Sequence, residues 1–205
     1  MTPILYSFRR CPYAMRARLA VAVAGVEVDL REILLRDKPA AFLAASPSGT
    51  VPCLVTQAGV IDESLEIMIW ALRQNDPDGW LDMPQAGHDW IARGDGPFKA
   101  ALDRVKYASR HPAPDVAAAQ AEAVRFFNDL EAQLGNWVFD RASLADYALL
   151  PFVRQFAFVD MAWFEAQPWP RVQDWLARFL ASDRLNAAMR KHPLWVAGAG
   201  PALLS

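Results

Sequence analysis

Cysteine and histidine are both scarce in this chain, which has two cysteines and three histidines among its 205 residues. Two cysteines, Cys11 and Cys53, are too few for the disulfide framework of a small secreted domain. The histidines, His88, His111 and His192, show no spacing with either cysteine that is typical of a metal site. We therefore expect no metal cofactor and a reducing compartment, the cytoplasm.

Two further absences exclude classes of partner. The chain has no excess of positive charge, since its formal net charge is −2, and this argues against binding to nucleic acid or to an anionic membrane. It also lacks an uninterrupted apolar run that could cross a bilayer, because Asp146, Pro151, Arg154 and Asp160 interrupt its most apolar stretch. The apolar run at residues 1–8 is too short for a secretory signal. We expect no membrane partner.

The chain does contain enough apolar residues, 54%, for one large domain or two small ones. Its first 75 residues alternate between strand and helix patterns. The predicted order is β-α-β-α-β-β-α, with strands at 3–8 and 26–33, helices at 12–24, 37–46 and 63–74, and a hairpin at 52–62 that turns at Ala58-Gly59.

The pattern changes at residues 76–84, which hold two prolines, a glycine and three aspartates. We interpret this segment as an interdomain linker. Residues 85–205 carry apolar residues at helical spacing, and Ser143 and Asp146 have the spacing of a capping box. The predicted fold is therefore an α/β domain at 1–75 followed by an all-α domain at 85–205.

Cys11 stands directly before Pro12, and proline is favoured at the first position of a helix. Cys11 is therefore predicted to be the N-cap residue, where unpaired N–H groups and the positive helix end favour a thiolate over a thiol. Four nearby arginines add positive potential, although the sequence does not decide which of them reaches the sulfur: Arg9, Arg10, Arg16 and Arg18. The thiolate is the nucleophilic form of cysteine, so Cys11 is a candidate catalytic residue.

The segment that begins at Cys11, "CPYA", resembles the "CPYC" site of glutaredoxins, with Ala14 in place of the second cysteine. Three other motifs make the chain resemble a cytosolic glutathione S-transferase from end to end: "TVP" at 50–52, "DES" at 62–64 and "SLADYALLP" at 143–151. A cysteine where other classes have tyrosine or serine makes the chain similar to the omega-like, cysteine-type bacterial branch. The resemblance implies a thioredoxin-like N-terminal domain, a helical C-terminal domain and glutathione as co-substrate.

The resemblance also implies how glutathione binds. Val51-Pro52 matches a cis-proline turn that presents the Val51 backbone to the ligand as an added strand would. Glu63 would pair with the ammonium group of the γ-glutamyl end. Ser64, with the N–H groups of a helix start, would receive the α-carboxylate.

Three other residues receive roles from the same resemblance. Leu35 and Lys38 align with positions near the glycyl end of glutathione, where Lys38 would supply charge for the carboxylate. Tyr13 follows the cysteine and would line the site.

Taken alone, these residues also have purely structural interpretations. Glu63 and Ser64 can serve only as a helix cap, Pro52 can follow an ordinary trans bond, and Lys38 can be a solvated surface charge. We interpret Cys53 as a buried structural thiol. It is the occurrence of the motifs together and in order that favours the binding site.

These observations predict a monothiol enzyme that catalyses thiol transfer, dehydroascorbate-type reduction or deglutathionylation through Cys11. An alternative is conjugation of glutathione to electrophiles, and another is a non-enzymatic adaptor with the same fold. We expect a homodimer whose partners are glutathione and a small-molecule or disulfide acceptor.

Overall fold

The computed structural model of the chain describes residues 1–204. These residues form two compact units, which we describe separately. One unit combines Met1–Gly79 with the segment that begins at Ser182, and the other is Trp80–Ala181.

The first unit begins with the predicted alternation of strands and helices, which confirms the predicted βαβαββα order. Its elements are β1 (Ile4–Ser7), α1 (Pro12–Ala24), β2 (Val28–Glu32), α2 (Ala40–Ala45), β3 (Cys53–Thr56), β4 (Gly59–Ile61) and α3 (Ser64–Gln74). Strand β1 pairs in parallel with β2 and antiparallel with β3, and β3 pairs antiparallel with β4. Helices α1 and α3 pack against each other.

Local chemistry fixes the ends of α1. Pro12 occupies the first helical position, where its missing N–H costs nothing. Gly25 ends the helix in the left-handed conformation with φ of 62°, which favours glycine. The hairpin turn lies one residue earlier than predicted, at residues 57–58, because Gly59 is already paired with Thr56 and has φ of 138°.

Every regular element of the second unit is a helix, as predicted for this part of the chain. Its helices are α4 (Ala86–Arg93), α5 (Lys99–Lys106), α6 (Ala113–Gln133), α7 (Leu144–Ala157), α8 (Met161–Glu165) and α9 (Pro170–Leu180). A π-helical turn at Gly94–Phe98 joins α4 to α5. Across residues 1–204, no helix has the length and apolar character needed to cross a bilayer.

The capping box at the start of α7 is present, as predicted, and Asp146 is its central group. Its buried carboxylate accepts hydrogen bonds from the N–H and hydroxyl of Ser143 at 2.9 Å each, from the Val138 N–H at 2.9 Å and from the Trp175 indole N–H at 3.1 Å. Burial raises the pKa of Asp146, while these hydrogen bonds oppose the rise. Asp146 therefore joins the preceding loop and α9 to α7.

The predicted linker differs from the structure at Trp80. This residue is fully buried, stacks on the Tyr147 ring with centroids 3.8 Å apart, and accepts a hydrogen bond from the Leu144 N–H through its carbonyl. A large aromatic side chain gains more from burial than from exposure in a linker. The second unit consequently begins inside the segment 76–84.

The end of the described chain also differs from the prediction, because residues from 182 onward pack with the first unit and not with the helical one. Helix α10 (Asp183–Ala188) packs against α1. Strand β5 (Leu203–Leu204) pairs antiparallel with β2, and the sheet order within residues 1–204 is β4-β3-β1-β2-β5. The Asp29 carboxylate accepts the Ala202 N–H at 3.0 Å, which fixes this segment beside β2.

Candidate functional site

Cys11 lies in the turn between β1 and α1 and is the N-cap residue of α1, with an extended backbone (φ −75°, ψ 123°). Its N–H donates to the Phe8 carbonyl at 2.9 Å, and its own carbonyl accepts from the Met15 N–H at 2.8 Å. Its side chain is half-buried and packs against an apolar cluster that includes Tyr6 and Val51. The thiol is therefore held at a helix start and remains partly open to solvent.

The Cys11 thiol faces the loop that precedes β3. Its Sγ donates a hydrogen bond to the Val51 carbonyl oxygen at 3.7 Å. The Val51-Pro52 peptide bond is cis, as expected from the sequence. The structure thus brings Cys11 next to the Val51-Pro52 turn, although Cys11 and Val51 are 40 positions apart in the chain.

The start of α3 forms a second part of the site. Glu63 is the exposed N-cap residue and Ser64 is the buried first residue of the helix. The buried Arg16 guanidinium of α1 donates through Nε to the Ser64 hydroxyl at 3.0 Å, and it lies over the Tyr13 ring at 5.2 Å from the centroid. Since the Ser64 oxygen accepts this bond, its hydroxyl hydrogen can be donated to another acceptor.

Sequence reasoning named Arg16 as one of four nearby positive charges but gave it no role at Ser64. The sequence pattern that could have indicated this role is the position of Arg16 in α1 among alanine, leucine and valine residues. In the structure Arg16 is only 2% exposed. A long charged side chain is seldom buried unless it is paired. Arg16 links the helix that follows Cys11 to the helix that starts at Ser64.

Leu35 and Lys38 lie apart from these contacts. Leu35 is exposed in the turn that follows β2, and this turn is closed by the Asp37 N–H donating to the Leu34 carbonyl at 3.2 Å. Lys38 is half-buried just after the turn.

Two charged side chains lie beneath the Cys11 turn. Arg18 of α1 is 2% exposed, and Glu32 at the end of β2 is 7% exposed. Both contact the backbone of Arg9, and one Arg18 nitrogen lies 3.8 Å from a Glu32 carboxylate oxygen. Glu32 was absent from the sequence interpretation, because its partner comes from an element 14 positions away.

Arg18, one member of this buried pair, interacts with Cys11 through its charge. Burial lowers the pKa of Arg18 to about 10, whereas the charges of Glu32 and Cys11 raise it and Arg9 lowers it. Burial raises the pKa of Glu32, and its contacts with Arg9 and Arg18 oppose the rise. Arg18 is therefore a cation at neutral pH that interacts with the Cys11 sulfur.

Cys53 has a different environment from Cys11. It is fully buried on β3, and burial raises the pKa of its thiol. A buried, neutral thiol is inert compared with a partly exposed thiolate. In the part of the chain that the structure describes, no cluster of three or more histidine, cysteine or acidic side chains is arranged to hold a metal ion.

Comparisons with known proteins bear on the family of the chain. Residues 5–79 match the family model described as "Glutathione S-transferase, N-terminal domain", and residues 113–178 match "Glutathione S-transferase, C-terminal domain". A probable glutathione transferase of Aplysia californica is 44% identical over 57 residues, which are 28% of this chain and 62% of that protein.

Two longer matches extend the comparison. Glutathione S-transferase omega-1 of Mus musculus is 24% identical over 190 residues, covering 84% of this chain and 74% of that protein. A crystal structure of a glutathione transferase family member from Pseudomonas fluorescens, with two glutathione bound, has a TM-score of 0.78 and 18% identity over 92% of each chain. At this identity the structural match speaks for the fold alone.

Proposed function

Because the chain belongs to the glutathione S-transferase family, we propose that it is a glutathione-dependent thiol oxidoreductase of the omega-like, cysteine type in which Cys11 is the nucleophile. The observation that carries the proposal is the half-buried Cys11 thiol at the start of α1, with its Sγ 3.7 Å from the Val51 carbonyl. A cysteine at this position can form a disulfide with glutathione. A tyrosine or serine hydroxyl can only hydrogen-bond to the glutathione sulfur.

The reaction has two balanced steps. The Cys11 thiolate attacks the glutathione sulfur of a mixed disulfide, the S–S bond breaks, and the other thiol leaves as its thiolate and takes up a proton. The thiolate of a second glutathione then attacks the same glutathione sulfur, which releases glutathione disulfide and restores Cys11. The net reaction converts one mixed disulfide and one free glutathione into one acceptor thiol and one glutathione disulfide, and the proton of the free glutathione passes to the acceptor thiol.

The residues around Cys11 suit the parts of glutathione. The backbone of Val51, beside cis Pro52, would pair with the cysteinyl segment as a strand does. Glu63 is exposed and negative, which suits the ammonium group of the γ-glutamyl end. Ser64, held by the Arg16 guanidinium, together with the first N–H groups of α3, suits the α-carboxylate.

Three residues complete the proposed ligand site. Tyr13, under the Arg16 guanidinium, would line it near the sulfur. Leu35 and Lys38, in and after the turn that follows β2, would contact the glycyl end, and Lys38 would pair with its carboxylate. The matches to the two glutathione S-transferase family models support glutathione as the ligand.

We further propose that the enzyme acts in the cytoplasm as a homodimer on a small-molecule or disulfide acceptor. Two-fold homodimers are the commonest soluble oligomers, and a thiol nucleophile needs a reducing compartment to stay reduced. Light scattering on the purified chain tests the dimer: a mass of one chain would overturn it.

The decisive experiment compares three reactions side by side: reduction of a glutathione mixed disulfide, reduction of dehydroascorbate, and conjugation of an aromatic halide. The variants are wild type, Cys11→Ser and the matched control Cys53→Ala. We expect Cys11→Ser to abolish the first two reactions, because serine cannot form the disulfide, while Cys53→Ala keeps them. Full thiol transfer by Cys11→Ser would refute the mechanism. Wild-type activity in conjugation alone would favour the alternative function, and inactivity in all three without glutathione binding would favour the adaptor.

A further inference from the structure

The peptide of Arg9, two positions before Cys11, is held on both of its polar sides by buried side chains. Its N–H donates to a Glu32 carboxylate oxygen at 2.6 Å, and its carbonyl accepts from the Arg18 guanidinium at 2.8 Å. The Cys11 N–H then closes the same turn on the Phe8 carbonyl at 2.9 Å. The position of Cys11 relative to β1 and β2 therefore depends on contacts from α1 and β2.

Stability is a weak reason for this pair to exist. Desolvating two charges costs several kcal/mol per ion, and apolar side chains of similar volume are often as stabilising as a buried ion pair. Arg18 also donates to the Ser7 hydroxyl at 2.7 Å, yet within residues 1–204 its Nε has no hydrogen-bond partner. A buried cation kept at this cost, and placed under a nucleophile, indicates a role beyond packing.

The charge of Arg18 acts on Cys11. The attraction between the two raises the pKa of the guanidinium, and the coupling is mutual, so the same attraction stabilises the thiolate. Other charged groups share this environment: exposed Arg10 and half-buried Arg9 in the turn, Glu32 on β2, and His192 after α10, whose pKa is lowered by burial and by Arg18.

We propose that Arg18 and Glu32 are positioning residues for the nucleophile. Both fix the Cys11 turn through the Arg9 peptide, and Arg18 also stabilises the Cys11 thiolate. The proposal rests on the proposed role of Cys11 as nucleophile. It makes a prediction that a purely structural role does not: removing the charge of Arg18 raises the midpoint of the Cys11 titration, whereas removing the charge of Glu32 does not.

The test measures the rate of Cys11 alkylation by iodoacetamide as a function of pH, in Cys53→Ala backgrounds so that one thiol reports. For Arg18→Met we expect the midpoint of the rate to rise by at least about half a pH unit, which is about threefold less thiolate below the midpoint. For Glu32→Gln we expect the midpoint to stay or fall, because the amide oxygen still accepts the Arg9 N–H while the negative charge is gone.

Two further variants separate charge from geometry. Arg18→Lys keeps the charge but not the forked set of donors, so we expect a midpoint near wild type together with a reduced kcat for thiol transfer. Arg10→Met is the matched control, since it removes an exposed arginine adjacent to Cys11, and its midpoint should change less than that of Arg18→Met.

An unchanged midpoint in folded Arg18→Met, or an equal shift in Arg10→Met, would overturn the proposal. Circular dichroism shows whether Arg18→Met folds. If it does not, the proposal is overturned by a higher midpoint in Glu32→Gln, or by a midpoint at least about half a pH unit higher in Arg18→Lys. Alkylation requires neither glutathione nor an acceptor. The expected shifts in a protein without thiol transfer would therefore refute the proposed function and leave this proposal standing.

Discussion

The hydroxyl of Ser64 offers the sharpest test of the proposed glutathione site. It lies at the first position of α3, is buried, and accepts the Nε–H of Arg16 at 3.0 Å. Because the Ser64 oxygen accepts the Arg16 bond, its hydroxyl hydrogen can be donated to the α-carboxylate of glutathione. Ser64→Ala removes this donor and also removes an acceptor of the buried Arg16.

The magnitude follows from the hydrogen bonds lost. A hydrogen bond to a charged group contributes about 1.5–3 kcal/mol, and each 1.4 kcal/mol is a factor of about ten in affinity. We therefore expect Ser64→Ala to bind reduced glutathione about 10- to 150-fold more weakly. The loss of an acceptor for Arg16 should also lower the free energy of unfolding, by about 1–3 kcal/mol.

Isothermal titration calorimetry with reduced glutathione measures the affinity, and urea denaturation measures the stability. The matched control is Ser182→Ala, because Ser182 also starts a helix of the same unit and accepts the Leu185 N–H at 3.2 Å. Losing that cap should cost about 0.5–2 kcal/mol of stability without changing the affinity. Unchanged affinity in Ser64→Ala, or an equal loss of affinity in Ser182→Ala, would refute the reasoning.

Three other outcomes are expected. Glu63→Ala should weaken glutathione binding by about tenfold or more, since a carboxylate that pairs with the ligand ammonium is lost. Glu66→Ala, in the first turn of the same helix, should leave the affinity unchanged. Equal affinities of the two variants in calorimetric titration would contradict the assignment. Asp146→Ala should lower the free energy of unfolding by at least about 3 kcal/mol, because several buried donors lose their acceptor, and a urea midpoint close to wild type would show that this network contributes little. The raised pKa of Cys53 means that the unfolded thiol ionises before the folded one, so the free energy of unfolding should fall as pH rises above about 8.5. In Cys53→Ala this alkaline fall should be shallower, by up to about 1.4 kcal/mol per pH unit. Parallel curves of unfolding free energy against pH would contradict burial of this thiol.

Much of the fold of both units could be predicted because the signals are local. Pro12 and Gly25 define the ends of α1 by their own backbone requirements. Alternation of apolar and polar residues identifies β2, and the capping box formed by Ser143 and Asp146 identifies the start of α7. Each of these features depends on residues within about one helical turn of each other.

The missed features depend on contacts between distant residues. Strand β5 comprises Leu203 and Leu204, and two residues are too few to show the alternation of apolar and polar positions that indicates a strand. They form a strand because they pair with the edge of β2. Trp80 sits in a segment with the composition of a linker, and its burial is decided by the Tyr147 ring. In the sequence Glu32 is one polar position of an alternating strand, and only the tertiary structure shows that Arg18 lies beside it.

The candidate site shows the same division. The turn before Cys11 and the start of α3 are visible in the sequence as local motifs. The bond from Arg16 to Ser64 spans 48 positions and the contact of Cys11 with Val51 spans 40, and neither follows from periodicity. Sequence patterns predict which groups carry chemistry, and the tertiary fold decides which of them meet.

The pairing of β5 with β2 has a consequence for how the chain is made. Residues 28 and 29 of the sheet pair with residues 204 and 203, so this edge cannot close until residues 203 and 204 have left the ribosome. During synthesis the growing chain therefore carries an open strand edge on β2, and such edges are sites of unwanted pairing with other chains.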